Sequence, residues 1–563
     1  MLSDLQSKYR EFTKFFLQNQ EYKLTKSRFL FFLILIPILF TGSKFDSSVF
    51  NVKDYGAIGD GKTLDSPAIN EAIQKAAANM GGTVYFPAGT YLSVSIHLKC
   101  NVAIYLDQGA TILAANPEDG YKYDIPEENK FDEYQDFGHT YWHNSLIWGE
   151  NLEKISILGP GLINGNGLVR SGSQSRSKEQ QQALRGKAPA GKKMGPFGYP
   201  SATDAVEPGW GNKAIALKLC RNVILKDFSI LHGGHFAILA TGVDNFTIDN
   251  LKIDTDRDGI DIDCCKNVRV SNCAVNSPFD DGICLKSSFG LGYAKATEDI
   301  NIANCFVSGY DEGTMLDGTF KREYDKYGHH SPTGRIKFGT ESNGDFKNIT
   351  ISNCVFEYCR GLALETVDGS KLEDVCINNI TMRDIENSPI FLRLGRRMRG
   401  PEGVPIGELK RIIISNIIVY NAAPKSSVLI TGLPGKDIED IFLSNIKIYY
   451  KGGGTEEQAS VIPPEDESGY PEPDNFGEMP SYGFFIRHVN NIKMSNIEVK
   501  YMNKEMRPPF ILDDVKNSEF DFISSQKESG VPTFKLNGIQ NISFFKADSV
   551  RDKKIDSILH GIL

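Results

Sequence analysis

The chain has 563 residues with 40% in the hydrophobic set, ample for a folded core and unlike a disordered sequence. At about 150 residues per domain its length allows three to four domains. Its 62 Lys+Arg against 71 Asp+Glu give a net charge of −9, which leaves no overall positive field for nucleic acid or an anionic membrane and disfavours a nucleic-acid function.

Residues Phe29 to Phe40 form an unbroken apolar run of 12, preceded by Lys23, Lys26 and Arg28 and followed by Thr41-Gly42-Ser43. A membrane span needs about 20 residues, so this basic, apolar, small-residue layout predicts export, with residues 1–45 as a signal peptide or N-terminal anchor. The twenty or so residues ahead of Tyr22 lengthen that segment beyond an ordinary signal. A secreted or periplasmic location is expected, with no stable membrane partner beyond a possible anchor.

Ser66-Pro67, the run AINEAIQKAAANM and Gly81-Gly82 predict a helix with an N-cap, Pro in its first turn and glycine at its end. It would cap the open end of a stack of strands, because an exposed strand edge invites aggregation.

A phrase then recurs: a polar turn, alternating apolar residues, and a small residue with Asn. Examples are RNVILKDFSI from Arg221, DNFTIDNLKI from Asp244, KNVRVSNCAV from Lys266, KNITISNCVF from Lys347 and NNIKMSNIEV from Asn490. Its polar position falls at Asp227, Asn250, Asn272, Asn304, Asn353, Asn379, Asn416, Asn445 and Asn496, at spacings of 23, 22, 32, 49, 26, 37, 29 and 51 residues. Each phrase is a period-2 strand, so the repeat predicts a solenoid of β-rungs with a buried Asn column that hydrogen-bonds along its length. One solenoid over 46–555 then replaces several domains, with 46–125 as cap and first rungs.

Two stretches break the pattern and are expected as long surface insertions, 170–212 and 451–483. The first carries seven basic residues and one acid between Arg170 and Lys193, and the second is rich in Gly, Pro and Glu. The ten Cys are dispersed rather than tightly spaced. Cys273, Cys305 and Cys354 share one column, where small buried apolar residues are expected and a disulfide between neighbours stays open. No metal-ligand spacing is present, so neither a structural metal nor a cofactor is expected.

Counting along the rungs gives the sharpest functional signal. Thirteen residues after Asn222, Asn245, Asn267 and Asp299 stand His235, Asp258, Asp280 and Glu312, with Asp281 beside Asp280. Superposing the glycines of DRDGIDI, DDGICL and DEGTML stacks Asp258, Asp281 and Glu312. Carboxylates about 5 Å apart repel, so at least one holds its proton at neutral pH. One acid beside one or more bases is what glycoside hydrolysis requires. A solvated acidic edge or a calcium site is the competing account.

The opening DYGAIGDGKTLDSPAINEAI, the Asn-rich rungs, DRDGIDI and PFDDGICLKSS resemble the glycoside hydrolase family 28 enzymes, which are polygalacturonase-like. The resemblance runs roughly from Phe50 to Asn541 and is most specific from Asp258 to Ser288. It implies an all-β fold, a right-handed parallel β-helix. It also implies Asp280 as general acid, with Asp258 and Asp281 activating water for inverting hydrolysis. Adjacent-rung spacing near 5 Å alone would suggest retention, since inverting pairs usually stand about 6.5 to 9.5 Å apart.

Three departures stand out. Asp256-Arg257 replaces the family's Asn-Thr, a mild change. Gly334-Arg335 stands where the Gly-His-Gly motif belongs, with His329, His330 or His235 as compensating candidates and a packed rung histidine as the alternative for His235. Glu365 stands near the place of the Arg-Ile-Lys motif, while Arg335 and Lys337 form such a motif about one rung early. Arg393, Arg396 and Arg397 add further guanidinium groups that suit a sugar carboxylate. Tyr141, Trp142, Trp148 and Trp210 are candidate sugar platforms.

The leading expectation is a monomeric glycosidase of the polygalacturonase, exo-galacturonidase or rhamnogalacturonidase type. It would cleave α-linked galacturonic acid in a pectic poly- or oligosaccharide. The alternatives are calcium-dependent elimination in the manner of a pectate lyase, and a non-catalytic carbohydrate-binding solenoid.

Overall fold

A computed structural model describes residues 48–135, 138–169, 208–323 and 332–563. The expected export segment, the cationic stretch 170–193, and His329 and His330 lie outside the described residues. From Val49 onward 35 strands join one continuous sheet wound as a right-handed parallel β-helix.

One face of the helix is built by Lys213–Lys218, Phe236–Thr241, Asp258–Asp263, Ile283–Ser287 and Ile336–Ser342, each parallel to the next. A second runs through Arg221–Lys226, Asp244–Asp249, Lys266–Ser271 and Thr297–Ala303. A third, shorter face runs through Ser229–Leu231, Lys252–Asp254, Ala274–Asn276 and Phe306–Ser308. Period-2 alternation sends Ile238, Ile260, Ile283 and Ile336 into the bore, where like side chains stack in one core with Val223, Phe246, Val268 and Ile300. Each fully buried aliphatic side chain contributes about 1.5–3 kcal/mol, so truncating Ile260 to Ala would cost about 2–5 kcal/mol.

The Asn column is present, but on the exposed corners rather than in the core. Asn304 donates to Asn272 at 3.3 Å, Asn353 to Asn304 at 3.3 Å, Asn416 to Asn379 at 3.1 Å and Asn496 to Asn445 at 2.8 Å. The reason lies in the backbone. These residues take left-handed φ values of 54–58°, which bend the chain between faces and turn the short amide outward, and Asn tolerates that conformation better than most residues. A second such ladder joins Asn222, Asn245 and Asn267.

The helix Ser66–Ala78 forms, with Asp65 rather than Ser66 at its N-cap position. Asp65 makes no capping bond; its carboxylate accepts from the backbone amides of Ile58 and Gly59. Ile69, Ala72, Ile73 and Ala76 are buried against the first strands. Strands continue past residue 555, because Lys553–Ile562 pairs antiparallel with Phe534–Phe545 at the final rung. All ten cysteines are free thiols, those at 273, 305 and 354 buried.

The insertion 451–483 does not stand away from the solenoid. Buried Arg393 donates to the carbonyls of Glu465 and Asp466 at 2.8 Å, and its neighbour Arg396 pairs with Glu467 at 2.8 Å. These guanidinium groups tie the insertion to the strand Ile390–Leu394 and the residues that follow it.

Candidate active site

The first face carries an outward-pointing row set by register: Leu239, Asp261, Cys284, Lys337 and Ala363 on successive rungs. In an open solenoid that row would meet solvent. Here overlying loops bury it, and a cavity remains above it lined by His139, Asp258, Asp280, Asp281, Lys286, Lys337, Glu341 and Tyr470. The three aspartates singled out in sequence therefore meet in one place, with Lys337 beside them.

Every carboxylate there faces a cation. Asp280 takes Arg257 at 2.6 Å, Asp281 takes Arg335 at 2.7 Å and Lys337 at 3.4 Å, and Asp258 has Lys286 at 3.7 Å. The replacement of Thr by Arg at 257 is thus no mild change, since the new side chain reaches a catalytic candidate on the next rung. His235 is buried beside the same group, its Nε2 3.4 Å from Arg257. His235, Asp258 and Asp280 bring ligand-type atoms within 4.8 Å of one another, a grouping that could hold a metal ion. Arg257 and Lys286 already occupy its electrostatic field, which disfavours a dication.

Glu312 does not stack on Asp281. The chain leaves the solenoid between Phe306–Ser308 and Ile336–Ser342, so Gly334 and Arg335 occupy the next rung, and Gly282 donates its amide to the Arg335 carbonyl. Glu312 sits in that excursion, 3.1 Å from His232 Nδ1. Thirteen-residue counting fails there because the repeat length jumps.

The proton balance divides the acids. Burial, reinforced by Asp261 and Asp280, raises the Asp258 carboxyl well above its ordinary value. Burial pushes Asp280 and Asp281 the same way, but Arg257 overrides it for the first and Lys337 with Arg335 for the second, leaving both below the usual carboxylate value. So burial favours the neutral form of Asp258, while the neighbouring cations favour the ionised forms of Asp280 and Asp281. Burial also lifts Asp261 to about 7 and Glu365 to about 8 against the pull of Lys286 and Lys337 respectively.

Sequence reasoning missed a surrounding layer. Lys286 pairs with Asp261 at 2.9 Å, His139 lies 3.6 Å from Asp261, and Arg399 pairs with Glu341 at 2.6 Å. From the insertion, Glu472 pairs with Arg335 and with Arg360 at 2.7 Å, while Tyr470 accepts from Lys337 at 3.3 Å and Thr340 at 2.9 Å. Asp261 and Lys286 had a signal, since they alternate outward within DGIDI and ICLKS. Glu472 had none, being 137 residues from Arg335. Of the aromatic candidates, Trp142 is fully buried and donates to Thr241, so it is packing; Trp148 is half-buried and stacks on His143 at 4.1 Å.

Comparison with known proteins agrees with this fold. Residues 49–119 match the family model described as rhamnogalacturonase A/epimerase, pectate lyase-like. The chain is 25% identical over 418 residues to a probable polygalacturonase from Vitis vinifera, covering 67% of this chain and 75% of that protein. It is 24% identical over 433 residues to an exo-poly-alpha-D-galacturonosidase from Dickeya chrysanthemi, covering 71% of this chain and 67% of that one. Among solved structures, an exopolygalacturonase from Thermotoga maritima superposes with a TM-score of 0.54 at 18% identity, over 92% of this chain and 95% of the other. The chain is thus similar over about two thirds of its length to polygalacturonase-type proteins and shares the fold of an exopolygalacturonase.

Proposed function

We propose that the protein is a pectin-degrading glycosidase that hydrolyses α-linked galacturonic acid units. The observation that carries this is the convergence of Asp258, Asp280 and Asp281 in one buried, cation-lined cavity. The names of the relatives support the same class of substrate.

In this mechanism Asp280 delivers a proton to the departing glycosidic oxygen, while Asp258 and Asp281 orient and deprotonate the attacking water, giving inversion. The pair can supply the proton, since burial favours the protonated form of Asp258 and Asp280 lies within 4.8 Å of it. Lys337 and Arg335 keep Asp281 ionised and ready to accept. Substrate contacts fall to His235, Arg335 and Lys337, with Tyr470 walling the cavity; Arg393, Arg396 and Glu312 are assigned to scaffold contacts instead. We assign the catalytic unit to the solenoid from residue 46 onward, a secreted or periplasmic location, and a monomer. Among the described residues no helix is long and apolar enough to cross a membrane.

The test is incubation with polygalacturonate and with rhamnogalacturonan oligosaccharides, reading new reducing ends and unsaturated products separately. Reducing ends without unsaturation support hydrolysis. Unsaturated products would replace it with elimination, and neither product would leave the non-catalytic solenoid.

A further inference from the structure

The three aspartates differ in reach. Asp258 and Asp281 are each 4% exposed, whereas the side chains of Asp280 and Arg257 are 25% and 24% exposed. Of the cations that touch these aspartates, Lys286, Arg335 and Lys337 are 10% exposed or less, and each is shared among two or three acids. Arg257 is the most exposed of these cations. Its surroundings are acidic, with Asp280, Asp258, Asp256 and Tyr470 all drawing on it, and the His235 ring lies beside it.

This arrangement creates a chemical difficulty. An Asp280 held ionised by Arg257 has no proton to give a leaving oxygen. Lys286 and Lys337 act on it in the same direction as Arg257 but are engaged elsewhere, so Arg257 is the restraint that binding can remove. A guanidinium pairs with any planar carboxylate in two-point geometry, including one carried by a sugar.

Resting on the glycosidase reading above, we propose that Arg257 exchanges carboxylates: it holds Asp280 in the free protein and the carboxylate of a uronic acid residue in the complex. Once Arg257 turns to the sugar, the Asp258 O–H bond breaks and a new O–H bond forms on Asp280. Asp258 becomes the carboxylate that its role as base requires. Asp280 then passes the proton to the glycosidic oxygen as its bond to the anomeric carbon breaks. Water supplies the hydroxyl to that carbon and its proton to Asp258, which restores the starting state. A neutral sugar leaves Arg257 on Asp280 and the acid without a proton, so the charge of the substrate becomes a condition of turnover.

The experiment compares initial rates on ionised oligogalacturonate and on its methyl ester of equal length, from pH 4 to 8, for the wild type, Arg257→Thr and Arg257→Lys. The wild type should favour the ionised oligomer by about 10- to 100-fold in kcat/KM, the worth of one charge-assisted pair. Arg257→Thr should bring that ratio near one and move the alkaline limb on the methyl ester to higher pH, because Asp280 then keeps its own proton; Arg257→Lys should fall between. Equal wild-type rates on the two oligomers, or an undiminished ratio in Arg257→Thr, would overturn the exchange. If Arg257→Thr fails to fold, Arg257→Lys carries the test, and a ratio in that variant equal to the wild type's would overturn the exchange. Loss of the glycosidase reading looks different: no pectic oligomer of either kind is hydrolysed by the wild type.

Discussion

Glu365 offers a direct test of the charge balance behind the cavity. It is fully buried, neither of its carboxylate oxygens accepts a hydrogen bond among the described residues, and its nearest cation is Lys337 Nζ at 3.6 Å. Burial, offset in part by Lys337 and Arg335, lifts its carboxyl from 4.5 to about 8. Between those two values the folded chain holds a proton that the unfolded chain has released. Folding therefore takes up a proton, and this group's contribution to stability is lost as pH rises. The slope is about −1.4 kcal/mol per pH unit, and the full span corresponds to about 5 kcal/mol. Glu365→Gln keeps the shape of the protonated side chain and removes the titration. Denaturant midpoints measured at pH 5, 6, 7 and 8 should lie closest at pH 5 and diverge as pH rises, the Gln variant becoming the more stable by several kcal/mol at pH 8. Parallel wild-type and variant curves would show that Glu365 is already ionised at neutral pH, with Lys337 as a full salt-bridge partner, and the protonation pattern given for the cavity would fall with it.

Asp280→Asn and Asp258→Asn should each lower turnover by at least about 10²–10⁴-fold with an unchanged circular dichroism spectrum, and wild-type rates in either variant would remove the assigned mechanism. The anomer released first, read by NMR, should be the inverted one; retention would instead fit the approach of Asp258 and Asp280 to within 4.8 Å, closer than the usual inverting separation. Chelator should leave the rate unchanged, whereas loss of activity restored by calcium would favour elimination. Glu472→Ala removes the shared partner of Arg335 and Arg360 and should raise KM more than it lowers kcat, checked by full saturation curves.

Much of the architecture is legible because a β-rung is a local object. Phrases such as KNVRVSNCAV carry both the inward Val and the corner Asn within ten residues, and the glycine-flanked aspartates fall on adjacent rungs wherever the repeat stays near 22 residues. What was not legible depends on length changes and on distance. Glu312 was misplaced because the excursion before Ile336 interrupts the count. The depth of the Asn column was misread because alternation alone does not reveal a left-handed corner. Arg393 and Arg396 find carbonyl and carboxylate partners in an insertion some seventy residues later, which nothing local in the sequence shows. Arg257 is the instructive case: its neighbours in sequence made it a small departure, and only the next rung reveals what it touches.

The corner ladder also bears on how such a chain can change over time. Asn250 donates to Asp227 across 23 residues and Asn496 to Asn445 across 51, both at 2.8 Å. The vertical bond is blind to how much chain lies between its ends, and doubling the length of a flexible excursion costs only about 0.6 kcal/mol in closure entropy. Excursions at the corners are therefore free to lengthen, shorten or be exchanged while the stack keeps its register. In this protein the insertion 451–483 rests Tyr470 and Glu472 against the cavity and its cations, so the wall of the cavity is the part most open to replacement and its floor the part least so.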